Sequence, residues 1–140
     1  MRGTYTLLIQ LSDDIGLKIG SLGEIDFETG AYAYVGSALK NLNKRVERHL
    51  REEKNLHWHI DYLLTEAPIN EVLYGEGEER KECDIASVLA EKFPSIEGFG
   101  ASDCQCKSHL FYSKEISVLR KDVTSSYEKV GLQPRTWENG

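Results

Sequence analysis

Between residues 4 and 35 the chain passes through four β-rich stretches whose connections are too short to cross over a sheet. Residues 4–12, 17–21, 24–27 and 31–35 are dense in β-branched and aromatic side chains. Asp13-Asp14-Ile15-Gly16, Gly23 and Thr29-Gly30 supply the turns between them. Parallel neighbours need a crossover of about a dozen residues or more, so these strands are predicted to be antiparallel, as a meander. Side chains alternate along a strand, which puts Tyr32 and Tyr34 on one face.

Beyond residue 38 the period lengthens. Leu39, Leu42, Val46 and Leu50 form one helical stripe, predicting a helix over residues 39–53. Arg45 and His49, four apart, are neighbours on its flank. The pattern then predicts a short helix over 56–64, broken at Ala67-Pro68, a strand over 69–74 and a helix over 78–93. A loop over 94–108, a strand over 110–112 and a helix over 115–127 follow, and 128–140 is read as an irregular tail. The fold class is α+β, a small central antiparallel sheet flanked by helices in one domain over residues 1–127. A chain of 140 residues with 40% apolar content suits one core of this kind.

No apolar run reaches the roughly 18 residues of a membrane span. Met1-Arg2-Gly3 leads straight into strand-like sequence without a signal or transit pattern, so a cytoplasmic protein is expected. Two of the three cysteines lie at Cys104-Gln105-Cys106, too close for an easy disulfide, which favours reduced thiols or a metal. The net charge of −6 opposes general nucleic-acid binding, but the charge is unevenly spread. Lys40, Lys44, Arg45, Arg48, Arg51 and Lys54 form a basic run, whereas residues 65–103 are strongly acidic. That run is either a solvated helix face or a surface that tracks a phosphate backbone.

Glu82 is the most telling single residue. It falls in line with Ala86, Leu89 and Phe93 on the core-facing stripe of its helix, where an unpaired charge is costly. It either pairs with Arg80 or Lys81 near the helix start, or ligates a hard cation such as Mg²⁺.

Gly3-Thr4-Tyr5, Tyr34-Val35-Gly36-Ser37, then Arg45 and His49 on the following helix, then Glu82 on a later one, resemble the motifs of the GIY-YIG nuclease superfamily in order. The stretches Leu56-His57-Trp58-His59-Ile60-Asp61-Tyr62-Leu63 and Gly98-Phe99-Gly100-Ala101-Ser102-Asp103-Cys104-Gln105-Cys106-Lys107-Ser108-His109-Leu110-Phe111 resemble its Uri-type branch. Two departures stand out. Thr4 occupies the usual isoleucine position, and an extra hairpin separates Tyr5 from Tyr34, leaving open how closely the two phenols approach.

The resemblance implies a small antiparallel sheet and hydrolysis of phosphodiester bonds, in DNA, with structure-selective or repair-type substrates. Glu82 would hold Mg²⁺ or Mn²⁺, Arg45 would stabilise transition-state charge, Tyr5 or Tyr34 would deprotonate or orient water, and His49 would assist. Lys40, Lys44, Arg48, Arg51 and Lys54 become candidate nucleic-acid contacts, and a partner protein for targeting stays open. His57, His59, Cys104, Cys106 and His109 form a second constellation of zinc-type donors, or else a substrate surface or ordinary packing and hydrogen bonding. Cys83 is read as a small apolar filler. The competing functions are a non-catalytic nucleic-acid-binding module and a zinc-stabilised interaction domain on the same fold.

Overall fold

The computed structural model describes residues 1–101 and 106–138. In chain order these form β1 (Gly3–Leu11), β2 (Ile15–Lys18), β3 (Glu24–Phe27), β4 (Gly30–Ala38), α1 (Leu42–Leu50), α2 (His59–Leu64), β5 (Ile69–Glu76), α3 (Glu82–Ala90), β6 (Leu110–Ser113), α4 (Ile116–Lys129) and β7 (Arg135–Thr136). The sheet order is β6-β4-β1-β5-β7, antiparallel throughout. The predicted α+β architecture is the one observed.

β1 lies between β4 and β5 and is buried on both faces, with one apolar row, Tyr5, Leu7, Ile9 and Leu11, and a mixed one, Thr4, Thr6, Leu8 and Gln10. Tyr5, Leu7, Ile9 and Leu11 point toward α1 and α2, where they join Tyr32, Leu42, Val46, Ile60 and Leu63. Leu8 points the other way, with Ala31, Ala33 and Val35 of β4, into a second core closed by Ile85 and Leu89 of α3 and Leu119 and Val123 of α4.

The four N-terminal strands do not make one meander. β1 pairs directly with β4, from Gly3 opposite Ala38 to Leu11 opposite Gly30, while β2 and β3 pair with each other in a separate hairpin. The burial patterns explain the difference. β1 and β4 are nearly all buried and belong in the interior of a sheet, whereas four-residue β2 and β3 alternate between exposed and covered. The hairpin therefore packs its one apolar side, Ile15, Leu17 and Ile25, beside buried Ile19 and Phe27. It leaves the two motif strands in contact.

Helix starts come later than the apolar stripes suggest. Asn41 caps α1 by accepting from the Lys44 N–H at 3.0 Å, so the helix begins at Leu42 rather than 39. α3 begins at Glu82, with Glu82 and Asp84 in the first turn, where the helix dipole favours acids. The tail read as irregular adds β7 to the edge of β5, buries Leu132 and sets Trp137 edge-to-face with Tyr74, ring centroids 5.6 Å apart. No helix among the described residues is long and apolar enough to cross a membrane.

Candidate functional site

Because β1 and β4 are adjacent, Tyr5 falls opposite Gly36 and Tyr34 opposite Leu7. The Tyr5 ring lies over Gly36 so closely that a Cβ there would sit 2.5 Å from the phenol Cζ and oxygen. Gly100, with φ +68°, plays the same part for Tyr34, since a Cβ on it would lie 2.9 Å from the ring. Two glycines thus seat the two tyrosines. Tyr5, Tyr34, Arg45 and Glu82 line one cavity of about 800 Å³, together with Ser37, Trp58, Cys83 and His109.

His49 shares Arg45's flank on α1, and both pack on Trp58, the His49 ring at 5.6 Å and the Arg45 guanidinium at 4.6 Å from its centre. His49 is buried behind the cavity wall, with Nε2 2.8 Å from the Tyr5 hydroxyl. Among the described residues its Nδ1 has no hydrogen-bond partner. Burial lowers the His49 pKa to about 3 against the opposing Asp61 charge, and the nearby Arg45 charge adds to the lowering. The imidazole is therefore neutral at pH 7. Burial pushes the Tyr5 phenol up to about 12, with the Arg45 charge opposing, and raises Tyr34 as well, reinforced by its neighbour Tyr5. At both phenols desolvation outweighs the opposing charge of the Arg45 guanidinium.

Arg45 is held by aromatic and backbone groups rather than by an acid. Its guanidinium carbon lies 4.6 Å from the centre of the Trp58 ring, and Nη1 donates to the Ser37 carbonyl at 3.3 Å. Arg48 lies over the same indole at 4.2 Å and forks onto Asp61 at 2.9 and 3.0 Å. Asp61, fully buried, also accepts from the backbone N–H groups of His57 and Trp58 at 2.9 Å each. Burial alone would raise its pKa, but Arg48 and those N–H groups hold the carboxyl below the usual range.

The five basic residues expected to meet nucleic acid therefore divide. Lys40, Lys44 and Arg51 are exposed. Arg48 is engaged with Asp61, and Lys54 donates to the carbonyls of His49 and Arg51 at the end of α1, at 3.0 and 2.6 Å.

Glu82 is half-buried at the start of α3, with Arg80 a loose neighbour at 3.9 Å. Its carboxylate faces the cavity, so an arginine fork and a carboxylate border the same space. An oxyanion and a hard cation can be held there side by side.

The second constellation is redrawn. Cys83, Cys106 and His109 bring their ligating atoms within 4.8 Å of one another, a group able to hold a metal ion. Neither His57 nor His59 belongs to such a group among the described residues. His57 is exposed against Trp58, and His59 accepts from the Gly100 N–H at 2.9 Å through Nδ1. Cys104 lies outside the described residues. Cys83 is not a filler; it opens onto the cavity.

The chain matches the family described as a domain of unknown function, DUF123, over residues 4–132. It belongs to the DUF123 family. No curated protein and no solved structure matches the chain.

In this DUF123 chain, the guanidinium-stacking role of Trp58 and the ligating position of Cys83 are what the sequence does not single out. Trp58 has a signal, since it precedes a short helix beside a basic one. Cys83 has none, because its partners lie far along the chain.

Proposed function

We propose that this chain is a divalent-metal-dependent endonuclease that hydrolyses phosphodiester bonds in DNA, in the manner of the Uri-type GIY-YIG nucleases it resembles. The observation that carries the reading is the convergence of Tyr5, Tyr34, Arg45 and Glu82 on one cavity. A half-buried carboxylate facing open space suits a hard cation that keeps several waters. Glu82 would hold Mg²⁺ or Mn²⁺ there, and the ion would supply Lewis acidity to the scissile phosphate.

The chain's own groups do the rest. Arg45, oriented by Trp58 and Ser37, presents its fork to the phosphate, where charge grows in the transition state. Exposed Lys40 and Lys44 extend that positive edge along the strand. Tyr34 and Tyr5 are protonated at neutral pH, so they orient water and phosphate as hydrogen-bonding phenols rather than as standing phenolates. His49 fixes the Tyr5 hydroxyl from behind.

The test is a cleavage screen with junction, flap, abasic and mismatched duplexes, with and without Mg²⁺. Mg²⁺-dependent nicking is expected, reduced about 100-fold or more in Glu82→Ala and Arg45→Ala proteins that keep the parent circular dichroism. Undiminished cleavage by both variants sinks the assignment. Salt-dependent binding without cleavage across the panel leaves the non-catalytic binding module instead.

A further inference from the structure

Two thiols and an imidazole gather where the connection before β6 meets the first turn of α3. Cys83 comes from the helix, and Cys106 and His109 from the segment that leads into the strand. We infer that Cys83, Cys106 and His109 bind a zinc ion that clasps this segment to α3 beside Glu82.

Geometry is the first argument. The three ligating atoms lie within 4.8 Å of one another. A tetrahedral zinc with Zn–S of about 2.3 Å sets its ligand edges near 3.8 Å, so a side-chain adjustment of about 1 Å closes the set. The backbone under the imidazole is already fixed on both sides. The His109 N–H donates to the Phe99 carbonyl at 2.8 Å, and its carbonyl accepts from the Val35 N–H at 3.0 Å.

Chemistry is the second argument. A donor set of two sulfurs and one nitrogen selects a borderline-soft ion and rejects Mg²⁺, which wants oxygens. Cys83 sits in the first turn of α3, where the helix dipole favours the negative charge a thiolate carries. Three protein donors leave the fourth vertex for one further ligand.

Position gives the clasp its consequence. Glu82 precedes Cys83 in the same helical turn, and both line the cavity together with His109. An ion joining Cys83 to His109 holds the start of α3 against the end of β4, and the Glu82 carboxylate with it. The cavity would then border two cation sites of opposite character, a hard one at Glu82 and a soft one at the thiols.

The test reads metal rather than cleavage, so its outcome is separable from that of the nuclease reading. The full chain is expressed with zinc supplied, purified without chelator and analysed by mass spectrometry for metals. About one zinc per chain is expected, falling to about a tenth or less in Cys83→Ser and His109→Ala and unchanged in His57→Ala. Because a ligand variant can unfold, Co²⁺ is also added to metal-stripped parent protein. Intense tetrahedral bands with thiolate-to-cobalt charge transfer are expected. Zinc-free parent protein with only the weak spectrum of hydrated cobalt overturns the site. So does zinc retained in folded Cys83→Ser, or a Cys83–Cys106 disulfide in peptide maps of unreduced protein.

Discussion

Two phenols on opposite faces of the same strand pairs are equally buried and differently used. Tyr127 on α4 reaches down to Thr6 Oγ1 at 2.8 Å, on the face packed with Leu8, Ala31, Ala33 and Val35. Tyr5, one residue away from Thr6 and on the other face, reaches His49 at the same 2.8 Å distance. Burial raises both phenols. The α3/α4 face closes over its phenol with apolar residues, whereas the α1/α2 face surrounds its own with Arg45, Trp58, Asp61 and a cavity. The strand's alternation lets one face serve as scaffold so that the other can hold polar groups at an energetic cost.

The largest test of this contrast is Asp61→Ala. It leaves the Arg48 guanidinium and two backbone N–H groups without their buried acceptor. Stability should fall by about 3–5 kcal/mol, read from urea unfolding. A loss of only a few tenths would mean the polar face bears no such burden.

Next come the two phenols. Tyr127→Phe strands a buried Thr6 hydroxyl and should cost about 1–3 kcal/mol of stability while leaving the cleavage rate per folded molecule unchanged. Tyr5→Phe should cost no more stability yet lower cleavage by at least about tenfold. Equal effects of the two on cleavage would erase the distinction between the faces.

The effect smallest at neutral pH is a slope. His49 titrates near 3 in the folded chain and near the ordinary ~6.5 when unfolded, so the unfolded state takes up its proton first. The stability it contributes is fully present above pH ~6.5 and falls as pH drops toward 3, by at most about 1.4 kcal/mol per pH unit. Asp61, also held low, adds its own loss further down, below the ordinary carboxylate range. His49→Gln should flatten the upper part of the curve and leave the lower part. An unchanged slope between pH 6.5 and 5 argues that His49 is not held neutral.

The elements were legible because their periods are strong. The alternating Tyr5, Leu7, Ile9 and Leu11 row of β1 and the Leu42, Val46 and Leu50 stripe of α1 each lie within one short stretch of chain. Partner choice was not. Four alternating strands with short turns look alike whether they pair in sequence or skip a hairpin, and only the burial of both faces of β1 and β4 separates the cases. His49 illustrates the same limit at the site. Spacing puts it beside Arg45, where it is found, but its burial against the Tyr5 hydroxyl follows from how α1 packs on β1. Glu82 was legible as a carboxylate out of place, whereas Cys83 gains meaning only when residues 106 and 109 fold back onto α3.

The position of β1 has a consequence for how the chain acquires its fold. The strand precedes both partners, and its two edges pair with residues 30–38 and 69–76. Until β5 is available, an apolar row keeps one edge of unpaired backbone open to other chains. Such long-range pairing closes slowly. The centre of the finished sheet is thus the part most exposed to misassembly while the molecule forms, and holding β1 apart is the task a chaperone would meet first.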